Sequence, residues 1–220
     1  LLREKTKTNT MPENPALVTT IVTTNMTFPI SQKYGLKLIE VLTGFKFIGE
    51  QIKFFEQTGS NNYVFGLEES YGCLAGTHAR DKDAIVAVMC LCEVAAYCKK
   101  NNMTLWDMML EMYEAYGYFK ETQYTITLKG IDGSKQIAAI MDKLRQNPPK
   151  TIGDLKVLRF RDYQEDKIVD METGAVTPTG LPKSNVLAYT LEGGAGLIIR
   201  PSGTEPKVKG YVTAIGETPA

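Results

Sequence analysis

Short β-branched runs alternate with a helical segment early in the chain, and this alternation constrains the fold more than any other feature. Residues 17–22 and 36–42 predict strands, residues 46–57 have the apolar spacing of a helix with Gly59 after it, and residues 63–67 predict a third strand. Strands that alternate with helices in this way are typical of α/β domains. We therefore expect the chain to begin with an α/β domain.

A long apolar segment follows the third predicted strand. After a polar loop that is expected to run to Lys82, residues 83–100 predict a helix with apolar residues on almost every side, so we expect this helix to be buried. Thr104 and Asp107 form a capping-box pattern that predicts the start of another helix, which is expected to stop at Gly117. The first domain is expected to close near there.

Strands dominate the second half of the chain. Residues 124–128 predict a strand, Asp132 and Gly133 a turn, and residues 134–146 a helix that ends before two prolines. Alternating residues then predict four more strands, at 157–161, 186–191, 197–200 and 208–213. This pattern predicts a small antiparallel sheet with one face covered by the helix, which is an α+β domain.

Composition limits the classes of partner. With 220 residues and 43% hydrophobic composition the chain can bury one large core or two modest ones, and we expect two domains. The 25 basic and 25 acidic side chains balance, so no overall field attracts nucleic acid or an anionic membrane. The longest apolar run, residues 84–98, is interrupted by Glu93 and is too short to span a bilayer comfortably. We expect neither nucleic acid nor membrane as partner, and a cytoplasmic location.

The sequence offers few residues for a metal site or a nucleophilic triad. His78 is its one histidine, so any serine–histidine or cysteine–histidine machinery would depend on that residue. Cys90, Cys92 and Cys98 share one helical segment at spacings unlike those of a zinc knuckle. We expect free thiols and no metal site in this chain.

A cation, two hydroxyls and a glycine lie between two predicted strands in the run Arg200-Pro201-Ser202-Gly203-Thr204-Glu205-Pro206-Lys207-Val208-Lys209. The guanidinium of Arg200 is a fork of N–H donors that matches phosphate oxygens, and Gly203 allows close approach of backbone amides or a positive φ. Ser202 and Thr204 add hydroxyl donors, and Lys207 adds positive charge. An ordinary Ser-Gly turn is the alternative, but the cations at both ends favour a local anion site.

A second polar segment, Gly66-Leu67-Glu68-Glu69-Ser70-Tyr71-Gly72, ends the third predicted strand. Open α/β sheets bind ligands at the carboxyl ends of their strands, and carboxylates beside a hydroxyl suit the hydroxyl groups of a sugar. A solvated acidic turn is the alternative. The cations Arg80 and Lys82 follow shortly after, where a helix cap at Asp81 or Asp83 and an exposed ion pair are equally ordinary explanations.

These segments together carry a family resemblance. Thr43-Gly44-Phe45-Lys46, then Gly66 to Gly72 with Arg80-Asp81-Lys82-Asp83-Ala84, then Arg200 to Lys207 resemble three successive signatures of the α-D-phosphohexomutases, in the same order and spacing. The resemblance runs from about Ala16 to the end of the sequence. Within the family, the run Glu68-Glu69-Ser70-Tyr71-Gly72 is most similar to the phosphoglucomutase branch.

The resemblance implies a four-domain enzyme that interconverts the 1-phosphate and 6-phosphate of a hexose through a bisphosphorylated intermediate. This chain resembles domains three and four. It implies a linker at residues 1–15, a sugar-binding, three-layer α/β domain with a mixed sheet at 16–119, and a phosphate-binding α+β domain with an antiparallel sheet at 120–220, expected to lack its C-terminal end.

The resemblance also implies roles for individual residues. Glu68 and Ser70 would grip sugar hydroxyls, and Lys82 would lie near the reacting hydroxyl and assist proton transfer. Two further groups follow from the family pattern: the loop near the distal end of the substrate, Thr43, Gly44, Phe45 and Lys46, and the loop that holds the phosphate that is not reacting, Arg200, Ser202, Gly203 and Thr204, with Lys207 beside it.

Two family signatures do not occur in this sequence: the phosphorylated-serine segment and the aspartate-rich loop that binds Mg²⁺. Phosphoryl transfer needs a donor and a metal, so we expect the chain alone to be inactive, with Mg²⁺ and the missing N-terminal domains of the same polypeptide as its partners and glucose 1,6-bisphosphate as intermediate. The alternatives are a phosphomannomutase or phosphopentomutase of the same family, a sugar-phosphate-binding module without chemistry, and a structural domain that binds no ligand.

Overall fold

A computed structural model describes residues 1–128 and 130–218, and of Ile131 the backbone alone. The chain divides into two compact units, Leu1–Tyr118 and Phe119–Gly216. The first contains, in chain order, α1 (Leu2–Lys7), β1 (Pro15–Thr20), α2 (Thr27–Tyr34), β2 (Lys37–Val41), α3 (Phe45–Thr58), β3 (Asn62–Glu68), β4 (Gly72–Ala75), α4 (Ala84–Lys100) and α5 (Leu105–Tyr116). Within the described ranges, no helix has both the length and the apolar character that crossing a bilayer requires.

The first unit is built on a four-stranded mixed sheet of order β2-β1-β3-β4. The strands β2, β1 and β3 run parallel, and β4 is antiparallel to β3. The predicted α/β class is therefore confirmed, with strand ends shifted by one or two residues. The segment 1–15, which the sequence assigns to a linker, contains α1, and its Leu2 and Met11 pack against the sheet.

Side-chain alternation along β1 supplies a core on each face of this sheet. Ala16 and Val18 are buried with the apolar stripe of α3, and Leu17 points to the opposite face. The stripe, Phe45, Ile48, Ile52 and Phe55, recurs every three or four residues, which places all four side chains on one side of the helix. Burying a side chain of this kind contributes about 1.5–3 kcal/mol, so α3 is held mainly by this stripe.

A short hairpin replaces part of the loop that the sequence predicted to run from Glu68 to Lys82. The strand β4 pairs with the end of β3, with Glu68 opposite Gly72. The prediction of a loop was wrong because Tyr71 has the positive φ, 58°, that a three-residue hairpin turn needs, and sequence patterns expect glycine there.

The helix α4 forms where it was predicted, but its predicted burial is wrong. Of α4, all of which the structure describes, only Cys98 is buried, and Ile85 is 72% exposed. The helix packs against β4 and α5. A seventeen-residue helix is about 25 Å long, whereas the four-residue strand β4 spans about 13 Å, so β4 covers only part of it. The neighbouring α5 also carries exposed apolar side chains, among them Trp106.

The second unit is an α+β structure, as predicted. It contains β5 (Tyr118–Thr127), α6 (Ile131–Gln146), β6 (Thr151–Ile152), β7 (Leu155–Asp162), β8 (Lys167–Asp170), β9 (Val176–Thr177), β10 (Leu187–Leu191), a 3₁₀ turn (Glu192–Gly194), β11 (Gly196–Pro201) and β12 (Lys207–Gly216). The sheet order is β5-β12-β11-β10-β7-β8-β9, and β6 pairs with β7. Helix α6 buries Ile137 and Met141 against Val157, Phe160 and Leu187 of the sheet.

The start of α6 differs from the prediction. Asp132 and Gly133, predicted as a turn, lie in the first turn of the helix, whose N-cap is Gly130. Gly133 fits there because a Cβ at this position would lie 2.1 Å from the carbonyl oxygen of Leu128. The acidic Asp132 is also favourable beside the positive end of the helix dipole. Glycine therefore marks a close contact here and not a chain reversal.

A buried ion pair fastens α6 to the sheet. The Nε of Arg145 donates to Oδ2 of Asp162 at 3.0 Å, and the Asp162 side chain is fully buried. The other carboxylate oxygen, Oδ1, accepts the backbone N–H groups of Gln164 and Glu165. The same guanidinium donates to Asn185 at 2.8 Å. Because burying a charge is costly without partners, Arg145 and Asp162 depend on each other.

Candidate functional site

The first candidate site lies where the parallel strands of the first unit end. Residues 42–44 join β2 to α3, which begins with Phe45 and Lys46, and Gly44 adopts a φ of 116° as the residue before the helix. Phe45 is buried in the core on the sheet side of the helix, whereas Lys46 is exposed. The chain thus turns sharply at Gly44 and presents its backbone and Lys46 at the carboxyl edge of the sheet, as the sequence predicts for a binding loop.

Glu68 is the last residue of β3, and most of its side chain is buried. Its side chain is 11% exposed, and burial raises the pKa of its carboxyl group, while the ammonium of Lys82 acts in the opposite direction. The Oε1 of Glu68 lies 3.9 Å from Nζ of Lys82. Ser70 is exposed, and its hydroxyl donates to Glu69 at 2.8 Å.

Lys82 connects the separate segments of this site. Its Nζ lies 3.2 Å from Oδ1 of Asp81 and 6.0 Å from the centre of the Phe45 ring. The hydrogen bonds from the backbone and side chain of Lys82 lower the pKa of Asp81. The structure therefore brings together Phe45 at the start of α3, Glu68 at the end of β3 and Lys82 in the loop before α4, which the sequence assigned to one ligand.

Gly72 fixes the place of the Glu68 side chain, a role that sequence patterns did not reveal. A Cβ at Gly72 would lie 2.5 Å from Cγ and 2.7 Å from Oε1 of Glu68, its direct partner across the hairpin. Real Cβ atoms do not approach so closely, so any larger residue would force Glu68 to move. Only the strand register, with Gly72 opposite Glu68, makes this contact visible.

Gly72→Ala is therefore expected to lower the pKa of Glu68 toward its ordinary value. The displaced carboxylate enters water and loses the burial that raises its pKa. It also moves away from Lys82, which lowers the pKa, but burial is the larger of the two influences. An NMR titration of the Glu68 carboxyl carbon measures the change. Cys73→Ala is the control, because Cys73 is the next residue of β4 and points to the other face. An unchanged pKa in Gly72→Ala would contradict the assignment.

The second candidate site is the loop between β11 and β12 of the second unit. The loop is closed by the hydrogen bond from the Ser202 N–H to the Lys207 carbonyl at 2.8 Å. The Ser202 hydroxyl accepts the backbone N–H groups of Thr204 and Glu205 at 3.4 and 3.3 Å. Gly203 is exposed, and a Cβ there would meet nothing within 4 Å, so the space beside its backbone is open.

Cations line one face of this hairpin. Arg200 and Lys209 are direct partners across β11 and β12, so their side chains project from the same face of the sheet. Lys207 is two residues before Lys209 in β12 and therefore projects from that face as well. Lys207 forms an ion pair with Glu205. For Arg200 and Lys209, no ion pair is found within residues 1–128 and 130–218. Like charges directly opposite each other are unfavourable, which favours an anion between them.

Lys209 ends the run that the sequence singled out, but no role in phosphate binding was assigned to it from the sequence. Its position two residues after Lys207 indicates that both lysines project from one face of a strand. Only the strand register shows that Lys209 lies opposite Arg200. Ser202 and Thr204 lie in the loop, and Lys207 is the first residue of β12. Among the described residues, no group of three histidine, cysteine, aspartate or glutamate side chains is placed to hold a metal ion.

Comparison with known proteins agrees with this architecture. An α/β unit with a mixed sheet, followed by an antiparallel α+β unit, is found in a phosphoglucomutase, parafusin, from Paramecium in its open form, with a TM-score of 0.62, 20% identity and coverage of 93% of this chain and 33% of that one. The crystal structure of a protein from Thermus thermophilus, described as a putative phosphomannomutase, gives a TM-score of 0.60 at 16% identity, over 99% of this chain and 36% of that one. At such identities these structures show the fold alone, an α/β unit followed by an α+β unit.

The sequence comparisons then identify the family. The domain family described as phosphoglucomutase/phosphomannomutase, alpha/beta/alpha domain III, matches residues 1–116. The phosphoglucomutases of the Staphylococcus aureus strains USA300 and COL are each 36% identical over 197 residues, which is 90% of this chain and 35% of theirs. This chain belongs to the phosphoglucomutase/phosphomannomutase family. It spans about a third of the length of these relatives.

Proposed function

We propose that this chain is the sugar- and phosphate-binding part of a phosphoglucomutase that interconverts glucose 1-phosphate and glucose 6-phosphate through glucose 1,6-bisphosphate. The cationic face formed by Arg200, Lys207 and Lys209 carries the proposal, because the loop beside it adds the hydroxyls of Ser202 and Thr204 and open space at Gly203. Guanidinium and ammonium groups with open N–H donors suit a phosphate. The 36% identity to Staphylococcus aureus phosphoglucomutases supports glucose phosphates as the substrate class.

In this proposal the two sites have separate tasks. The loop of Arg200, Ser202, Gly203 and Thr204 holds the phosphate that is not reacting, since it can bind the phosphate of either end of the sugar. Glu68 accepts hydrogen bonds from sugar hydroxyls and Ser70 donates to them. Residues 43–46 contact the distal end of the substrate. Lys82, whose Nζ lies 3.9 Å from Oε1 of Glu68, assists proton transfer at the reacting hydroxyl.

The phosphoryl transfer itself is assigned to residues outside this chain. We infer that N-terminal domains of the same polypeptide supply the phosphorylated serine and the ligands of Mg²⁺, which neutralises charge on the transferred group. The chain alone is then inactive as an isomerase. Neither nucleic acid nor a membrane takes part in this proposal, and the reaction is placed in the cytoplasm.

Arg200→Ala is expected to weaken the binding of glucose 1,6-bisphosphate by about 1.5–3 kcal/mol, the range for hydrogen bonds to charged groups. This corresponds to a roughly 10- to 150-fold higher Kd in isothermal titration calorimetry. Arg159→Ala is the matched control, because Arg159 lies on β7, two strands away from β11 in the sheet order. We expect the control to bind like the unaltered chain.

The same titration distinguishes the competing functions. Equal affinity in the unaltered chain and in Arg200→Ala would remove the loop from the proposal. No heat of binding with glucose, mannose or pentose bisphosphates would favour a structural domain, whereas tighter binding of a mannose or pentose bisphosphate would favour the corresponding mutase.

A further inference from the structure

The segment that carries Lys82 lies directly on helix α3. Gly49 of α3 faces Arg80 so closely that a Cβ at Gly49 would lie 2.3 Å from the carbonyl oxygen of Arg80. A side chain at this position would therefore collide with backbone, which cannot swing aside as a flexible side chain does. Glycine at position 49 lets the backbone of residue 80 rest against the helix, two residues before Lys82.

The Arg80 side chain makes a second connection to the same helix. Its Nη2 donates to both carboxylate oxygens of Glu56, at 2.6 and 2.7 Å. Glu56 is seven residues after Gly49, so both contacts lie on one side of α3, two turns apart. The Nη1 of the same guanidinium donates to the carbonyls of Thr77 and Ala79, at 2.6 and 3.1 Å. One side chain thus holds the loop in shape and fastens it to the helix.

The other end of the segment is fixed as well. The backbone N–H of Asp83 donates to the Cys73 carbonyl of β4 at 3.0 Å, and the Asp83 carboxylate caps α4 by accepting the N–H groups of Ile85 and Val86. Lys82 therefore lies between two residues whose backbones are tied to the rest of the unit. Its ammonium has little freedom other than that of its own side chain, and it ends 3.9 Å from Glu68.

We propose that Arg80, held by Glu56 and resting on Gly49, is a positioning residue that keeps the Lys82 ammonium beside the Glu68 carboxylate. This deepens the proposed function and rests on it, because it explains how the proton-transferring group is set against the group that binds the sugar. Arg80 and Glu56 are both about half exposed, so their ion pair contributes little to stability. Its contribution is to placement, since a guanidinium that bridges a carboxylate and two carbonyls fixes one loop geometry.

The Glu68 carboxyl group reports the position of Lys82 without any ligand. Burial raises its pKa, as do the negative charges of Glu69 and Asp81, and Lys82 is the cation that lowers it. When the ammonium moves away, the pKa of Glu68 must rise. An NMR titration of the Glu68 side-chain carboxyl carbon in the unliganded chain measures this directly.

The central experiment compares Glu56→Ala with Lys82→Ala. Lys82→Ala removes the ammonium outright and sets the full upward shift. Glu56→Ala is expected to shift the Glu68 pKa upward as well, because the freed loop lets Lys82 move away. The direct electrostatic effect of losing the Glu56 carboxylate has the opposite sign, since removing a negative charge lowers the pKa of neighbouring carboxyl groups. An upward shift therefore requires movement of Lys82.

Glu50→Ala is the matched control, because Glu50 is an exposed glutamate of the same helix. It is expected to leave the Glu68 pKa unchanged or slightly lowered. Gly49→Ala tests the backbone contact independently and is expected to shift the Glu68 pKa upward. If Gly49→Ala does not fold, Glu56→Ala decides alone, because its exposed side chain is not needed for folding.

An unchanged or lowered Glu68 pKa in Glu56→Ala would overturn the proposal, and so would an unchanged pKa in Lys82→Ala. These outcomes are independent of the proposed function, because no ligand is present in the titration. The proposed function would be contradicted by a different result, which is an unchanged affinity for glucose 1,6-bisphosphate in Arg200→Ala.

Discussion

Replacing Arg145 with alanine is expected to lower the free energy of unfolding of the second unit by about 3–5 kcal/mol, the cost of leaving one member of a buried ion pair without its partner. The Asp162 carboxylate is fully buried, and the Arg145 side chain is only 11% exposed. The variant also removes the donor to Asn185. Urea denaturation measures the loss in the free energy of unfolding. Because α6 is fastened to β7 through this pair, the hydrogen exchange of β7 amides is expected to become faster as well.

Lys143→Ala is the matched control for this experiment. Lys143 is an exposed cation on the same helix, two residues before Arg145, and exposed substitutions of this kind usually change stability by less than about 0.5 kcal/mol. If Arg145→Ala were as stable as Lys143→Ala, the ion pair would not hold α6 to the sheet.

Replacing Ile48 with alanine is expected to destabilise the first unit by about 2–5 kcal/mol. Ile48 is fully buried in the stripe of α3 beneath the sheet, so the shorter side chain leaves a cavity that the surrounding structure fills only in part. The position of Ile48 against the strands adds to this cost, because a Cβ at Gly66 of β3 would lie 2.7 Å from its Cγ2. Urea denaturation combined with hydrogen exchange of β1 and β3 amides measures the loss.

Ile85→Ala provides the comparison at constant chemistry. Ile85 lies on α4 and is 72% exposed, so the same substitution removes few contacts and is expected to change the free energy of unfolding by less than about 0.5 kcal/mol. A loss in Ile85→Ala as large as that in Ile48→Ala would show that α4 is buried in solution, in disagreement with the structure.

Local sequence patterns predicted the helices whose apolar stripe and capping residues lie close together in the sequence. The apolar spacing of α3 and Gly59, which ends it in a left-handed conformation, were both visible in the sequence. The capping box of Thr104 and Asp107 was predicted and is confirmed. In each case residues three or four positions apart determine the structure, so a short stretch of sequence contains the needed information.

The failures share one cause, which is that the sequence does not state what lies opposite a residue. The apolar character of α4 indicates a preference for burial but not a surface that covers the helix, and β4 is too short for that. Tyr71 adopts a positive φ where patterns expect glycine, so β4 itself was missed. Likewise, Gly133 could be distinguished from a turn glycine only by the Leu128 carbonyl that it faces.

The candidate sites follow the same rule. Their loops were recognisable because glycines, hydroxyls and charges cluster in short segments. The contributions of Gly72 and Lys209 were not, because the first depends on its position opposite Glu68 and the second on its position opposite Arg200. Strand register, which is set by the whole sheet, converts these residues from ordinary strand members into parts of a site.

The uncovered apolar surface of α4 and α5 has a consequence for handling the chain in solution. Ile85, Leu91 and Trp106 are each more than half exposed, and exposed apolar surface promotes association of one molecule with another. With 25 acidic and 25 basic side chains, little net charge opposes such contacts near neutral pH. Concentrated stocks of this chain will therefore form clusters, and dilution or a mild detergent will be needed to keep single molecules for calorimetry and NMR.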